Sequence, residues 1–126
     1  MELEQKWLWF PKPLTMKCTP LETADALQQI TDADHYTVIL KHSTTCPISK
    51  GVLTRLQADD ANIPGIDAIH VLDLHAHRDI SDDIASRFGV PHQSPQILLV
   101  KGGRCVYHEW GYDIDAEKVA EEVSDN

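Results

Sequence analysis

Cys46-Pro47-Ile48-Ser49 is the stretch of this chain whose residue types and spacing could do covalent chemistry. A cysteine attacks through its thiolate, and a helix N-terminus favours that form with its unpaired N–H groups and the positive end of its dipole. Cys46 stands at the cap position of a helix expected soon after a short buried strand. Pro47 suits the first helical position, where a missing N–H loses nothing. The expected chemistry is thiol–disulfide exchange at Cys46. Ser49 fills the place where a second cysteine would resolve that exchange, and a hydroxyl forms no disulfide. Cys46 is therefore expected to stop at a mixed disulfide that another thiol must open. Ser49 itself reads either as a hydrogen-bond donor to the thiolate or as a helix-surface serine.

The other reactive side chains read more plainly. Cys105 follows the turn Lys101-Gly102-Gly103-Arg104, at the end of the sheet opposite Cys46, and is expected to be structural. From Pro95 to that turn the strand runs on the order of 20 Å, beyond disulfide reach. Cys18 lies in a lead-in segment that sequence alone does not place, so a resolving role for it stays open. His42 and His92, close in sequence to Cys46 and Pro95, could raise thiolate character when charged. His70, His75 and His77 suggest a metal site, but the chain has 7 histidines, and positions on a strand and its exit loop diverge. No metal site and no cofactor are expected.

Composition narrows the class. The 126 residues, 42% of them hydrophobic, fit one domain over 1–126, with 1–18 as an extended lead-in with room for one short strand. Three cysteines, widely spaced, make no disulfide framework. The run Trp7-Leu8-Trp9-Phe10 ends at Pro11 and follows Glu2 and Glu4, which is wrong for a signal peptide. No segment nears the roughly 20 apolar residues of a membrane span. A formal net charge of -9 opposes a phosphate backbone. A cytoplasmic protein with no membrane and no nucleic-acid partner is expected.

The elements that must position Cys46 can be read in order. Thr19, Pro20 and Glu22 form a capping-box start for a first helix, with Leu21, Ala24, Leu27 and Ile30 on its apolar face. Thr37-Val38-Ile39-Leu40 is a buried strand. The helix opened by Cys46 carries Ile48, Val52, Leu53 and Leu56 on one side. Residues 62–67 form a loop, and Ala68-Ile69-His70-Val71-Leu72 is a second strand. A third helix starts at Asp79, faces inward with Ile80, Ile84, Ala85 and Phe88, and stops at Gly89 before Pro91. Ile97-Leu98-Leu99-Val100 and Cys105-Val106-Tyr107-His108 form a hairpin about Gly102-Gly103, since paired glycines tolerate positive φ. A last helix is capped by Asp115 and shows Ala116, Val119, Ala120 and Val123 on one face.

A β-α-β crossover is right-handed, which makes the first two complete strands parallel neighbours. The resulting α/β arrangement, a mixed central sheet of about four to five strands flanked by helices on both faces, resembles the thioredoxin fold. In that fold a cis-proline loop faces the reactive sulfur, so the resemblance marks Ser94-Pro95 as this loop. Trp110-Gly111-Tyr112 returns from the hairpin toward Cys46, where Trp110 reads as a wall of a substrate groove or as a core or rim aromatic.

His42-Ser43-Thr44-Thr45-Cys46-Pro47-Ile48-Ser49, together with Phe88-Gly89-Val90 and His92-Gln93-Ser94-Pro95-Gln96, resembles the monothiol bacilliredoxin family across about Trp9 to Ile114. The resemblance implies Cys46, Pro47 and Ser49 as catalytic residues and Thr45, Ser94, Pro95, Trp110 and Gly111 around the substrate. It implies bacillithiol, a low-molecular-weight thiol, or a similar thiol as co-substrate, and S-thiolated proteins as clients. Two other classes stand beside this reading: a non-catalytic thioredoxin-like binding module, and a metal-linked role for Cys46 with histidines.

Overall fold

A computed structural model describes residues 17–58, 63–66 and 68–125. Among these residues five strands and four α-helices follow in the order β1 (Lys17–Pro20), α1 (Ala24–Asp32), β2 (Thr37–His42), α2 (Pro47–Leu56), β3 (Ala68–Asp73), α3 (Arg78–Phe88), β4 (Gln96–Lys101), β5 (Arg104–Trp110) and α4 (Ala116–Asp125). The strands lie in the order β1-β3-β2-β4-β5. β1, β3 and β2 are parallel to one another, whereas β4 runs antiparallel to both β2 and β5. The expected mixed sheet with helices on both faces is what forms.

Side-chain alternation divides the core into two layers. Val38 and Leu40 of β2, with Ile97 and Leu99 of β4, pack against Val52 and Leu56 of α2 and Val119 of α4. Ile39, Leu98 and Val100 point the other way, to Leu27 and Ile30 of α1 and to Ile80 and Ile84 of α3. Central strands buried on both faces explain why their sequences are continuous apolar runs.

The start of the first helix differs from the sequence reading. Lys17–Pro20 is strand β1, paired in register with Ala68–Val71, and the helix begins four residues after Pro20. Thr23, not Thr19, is the cap, its Oγ1 accepting the Ala26 N–H at 3.0 Å. The free edge of β3 outcompeted the local capping signal, and Pro20 is tolerated because it ends an edge strand. Leu21, expected on the helix, is instead buried in the connection, where its N–H donates to the Val71 carbonyl. Ala24 is exposed rather than core-facing. The lead-in thus carries a strand at 17–20, and its residues 1–16 lie outside the described ones.

The remaining boundaries sit close to expectation. Helix α3 starts one residue early, with His77 as its cap, and ends on Gly89 at φ 66. Asp115 accepts the Glu117 N–H through Oδ1 at the head of α4. In the loop, Ile63 and Ile66 form an isolated bridge and enter the core, while Asn62 and Asp67 lie outside the described residues.

Candidate active site

β2 ends at His42, and five residues later α2 begins, with Cys46 as its cap residue in an extended conformation and Pro47 at the first helical position. The Cys46 N–H donates to the Ser43 carbonyl at 3.3 Å, and the Cys46 carbonyl accepts from Lys50 N–H at 3.0 Å. These bonds fix the backbone on either side of the sulfur. The half-buried thiol makes no capping bond, and the first turn of α2 holds no acidic residue. The sulfur therefore sits at the positive end of the helix without an opposing carboxylate on that turn.

Ser49 does neither thing expected of it. It is 0% exposed, so it is not a surface serine. Its Oγ accepts the Ser43 N–H at 2.9 Å and lies 2.8 Å from His42 Nδ1. Burial pushes the His42 pKa down, with Lys50 adding to the effect and Asp73 opposing it. Both contacts of the Ser49 hydroxyl are thus with the segment that closes β2, and it makes no hydrogen bond to Cys46. Ser49 is a strut that ties the first turn of α2 to the end of β2.

A second chain of polar contacts runs along the surface. Ser43 Oγ and Thr45 Oγ1 lie 3.3 Å apart, and His75 Nε2 is 3.1 Å from the first and 3.2 Å from the second. His75 was read from sequence only as a candidate metal ligand. The signal that finds it is strand register: β2 and β3 are parallel with His42 opposite Asp73, so the residues that follow each strand meet.

The Ser94–Pro95 peptide is cis. Because Lys41 pairs with Gln96 across β2 and β4, residues 94 and 95 fall beside the loop that leads to Cys46. The Pro95 carbonyl accepts the Gly111 N–H at 3.0 Å, and Gly111 adopts φ 74, which glycine takes without strain. Trp110 pairs with Gln96 and is 54% exposed, and Tyr112 is 74% exposed. Trp110 is thus not a core aromatic. Thr45, Cys46, Pro47, Ser49, Ser94, Pro95, Trp110 and Gly111 all gather at this end of the sheet.

The other two thiols stand elsewhere, and all three cysteines are free. Cys18 lies level with Ile69 and hence with Val38, four strand residues short of His42. That is about 13 Å along the sheet before the lateral distance is added, which removes Cys18 as a resolving partner in this fold. Cys105 pairs with Val100, which pairs with Thr37, at the far end of β2. Its Sγ donates to the Tyr107 carbonyl at 3.2 Å, and burial pushes its pKa up, keeping it a thiol.

The expected support from charged histidines does not materialise. His92 Nδ1 lies 3.2 Å from Lys41 Nζ and 3.4 Å from Ser81 Oγ. Its pKa is lowered, chiefly by burial and then by Lys41 and Arg78. His92 and His42 are therefore neutral near pH 7. Among the described residues, no group of three or more His, Cys, Asp or Glu side chains is arranged to hold a metal ion.

A protein-family model, monothiol bacilliredoxin BrxC, matches residues 19–119. A solved structure described as a candidate oxidoreductase with a thioredoxin fold shares 30% identity, covering 83% of this chain and 92% of its own, with a TM-score of 0.70. A thioredoxin from Malassezia sympodialis superposes with a TM-score of 0.69 at 16% identity, over 91% of this chain and 94% of its own. A Nicotiana alata thioredoxin does so at 0.66 and 16%, over 91% and 96%. At such identities the last two are similar in fold alone.

Proposed function

The chain belongs to the monothiol bacilliredoxin family of thioredoxin-fold thiol–disulfide oxidoreductases, and from that premise we propose that it strips a low-molecular-weight thiol, bacillithiol by family, from S-thiolated proteins. The observation that carries this reading is a half-buried Cys46 capping α2 beside a cis Ser94–Pro95 peptide, with a serine at position 49 and both other thiols at or beyond mid-sheet. The Cys46 thiolate attacks the small-thiol sulfur of a protein mixed disulfide. The old S–S bond breaks, the client cysteine leaves as a thiolate and takes a proton from solvent, and Cys46 carries the small thiol. A second low-molecular-weight thiol then attacks this new disulfide and leaves joined to the released moiety, so Cys46 ends as it began.

Trp110 and Tyr112, the exposed aromatics on either side of the Gly111 that bonds Pro95, are the proposed walls for the client segment, with Thr45 and Ser94 beside the disulfide. Exchange of this kind belongs to a reducing compartment, and the proposed location is the cytoplasm. Among the described residues no helix is long and apolar enough to cross a membrane.

The test uses a client protein carrying a bacillithiol or a glutathione mixed disulfide, with intact-mass spectrometry after seconds to minutes. The expected result is transfer of the small thiol to Cys46, abolished in Cys46→Ser and retained in Cys18→Ser and Cys105→Ser. Transfer that survives Cys46→Ser overturns the reading. A preference for glutathione replaces bacillithiol while leaving the chemistry in place.

A further inference from the structure

Lys41 is the odd residue of the central sheet. It sits inside β2 between Leu72 of β3 and Gln96 of β4, and it is 0% exposed. An apolar side chain of similar length would fill the space without losing the hydration of an ammonium group. No carboxylate lies within salt-bridge distance of Lys41 among the described residues. Its hydrogen-bond partner is His92 Nδ1, at 3.2 Å.

The partner's position gives the buried amine a purpose. His92 belongs to the segment between Gly89, which ends α3, and Gln96, which opens β4. That segment holds the cis Ser94–Pro95 peptide. Gln96, directly opposite Lys41, donates through Nε2 to the carbonyl of Pro91 at 3.0 Å. A cross-strand pair of buried polar side chains thus reaches up from the sheet and grips two consecutive residues of the loop, Pro91 and His92. Pro91, His92 and Gln93 are themselves exposed and sink no side chain into the core.

We propose that Lys41 is a positioning residue for the substrate loop: with Gln96 as its cross-strand partner it clamps residues 91–92 and thereby sets Ser94–Pro95 against Cys46. The inference rests on the reading of Cys46 as the exchange nucleophile. The groups facing the ammonium are His92 from the loop and, from α3, Ser81, Asp82 and Arg78, the last through His92; the neighbours on β3 and β4, Leu72 and Gln96, do not titrate. Burial lowers the Lys41 pKa to about 8, with Asp82 opposing. Below that pH the bond to neutral His92 is charge-assisted. Above it the amine is a weaker donor, and the clamp loosens.

The experiment compares wild type with Lys41→Met, His92→Ala and the double variant. Hydrogen exchange of the amides of His92, Gln93 and Ser94 is read against those of β5. Turnover of a protein mixed disulfide is followed from pH 6 to 10, with iodoacetamide alkylation of Cys46 as a control. Each single variant is expected to speed loop exchange and raise KM by about tenfold, the worth of one charge-assisted hydrogen bond. The double variant should be no worse than either, because both break the same bond. Lys41→Met should also erase the fall in kcat/KM near pH 8, while alkylation stays within about threefold, since that small reagent does not use the loop. Additive single effects, or loop exchange unchanged in Lys41→Met, overturn the proposal. If wild type alkylates but turns over no mixed disulfide, the exchange reading of Cys46 falls, and the loop amides still decide the clamp.

Discussion

Replacing Ser49 by alanine separates a strut from a catalytic donor. The Ser49 hydroxyl accepts the buried Ser43 N–H and shares a hydrogen bond with His42 Nδ1, and both partners are themselves buried. Alanine leaves two polar groups without partners, each costing about 1–3 kcal/mol. The two together should destabilise the protein by roughly 3 kcal/mol, a loss in the range seen when a buried network is broken. At this chain length about 4 °C of melting temperature accompanies each kcal/mol, so the midpoint should fall by roughly 10 °C. Urea denaturation followed by far-UV circular dichroism measures the first figure and a thermal scan the second. The pH midpoint of Cys46 alkylation should move little, because Ser49 hydrogen-bonds to Ser43 and His42 and not to Cys46. Ser49→Cys, kept reduced, retains a weak acceptor and should fall between the two. A stability change within about 0.5 kcal/mol of wild type, with a large upward move of the alkylation midpoint, would refute the strut and return Ser49 to the sulfur.

Other expectations follow from the same geometry. Lys41→Met should stabilise the protein at pH 7 by up to about 3 kcal/mol, since burial moves the ammonium from its ordinary 10.5 to about 8 and so disfavours its charged form. Between those pH values the unfolded chain binds more protons, so wild-type stability rises with pH and the advantage of methionine fades; urea midpoints at pH 7 and 10 check it. The pKa values of His42 and His70 are both lowered by burial, so stability should be full above about 6.5 and drop as pH falls through their folded midpoints. Urea titrations at pH 7.5 and 5.5 should show this, and an unchanged midpoint would contradict it. Thr23→Ala should cost about 1 kcal/mol, whereas Thr19→Ala should cost much less; the reverse order would place the cap where the local sequence suggests. Native-state alkylation should label Cys46 first and leave Cys105 unlabelled until the protein unfolds.

How far the sequence alone reaches depends on whether a feature is local. The strand at Thr37–Leu40, the helix opened by Cys46-Pro47 and the Gly102-Gly103 hairpin each carry their cause within a few residues, and each forms as read. Thr19-Pro20 misleads because its capping pattern is local but its fate is not: the open edge of β3 takes residues 17–20 as a strand. Ser49 is opaque for a similar reason. Its partners, Ser43 and His42, are near in sequence, but only the direction in which β2 delivers them shows that they, and not Cys46, take its hydrogen bonds. His75 reaches the loop before Cys46 from another strand, so nothing local announces it. Lys41 lies just past the apolar run Thr37-Val38-Ile39-Leu40, where the strand read from sequence stops, and turns out to lie fully inside β2.

The buried polar side chains of the described core are Thr37, Lys41, His42, Ser43, Ser49, Ser81 and Gln96. All but Thr37 sit at the end of the sheet that holds Cys46: the close of β2, the first turns of α2 and α3, and the opening of β4. A core selected for stability alone would fill these positions with apolar groups, as the rest of the sheet does. Each polar side chain instead holds a loop, with Ser49 and His42 fixing the segment before Cys46 and Lys41 and Gln96 fixing the one before Pro95. This division explains why position 49 takes a hydroxyl. A serine there locks the loop before Cys46 from beneath while offering no sulfur to close a ring, so under the proposed exchange the mixed disulfide is released by an outside thiol. The one-cysteine chemistry and the rigidity of the site are then two consequences of the same hydrogen-bonded side chain.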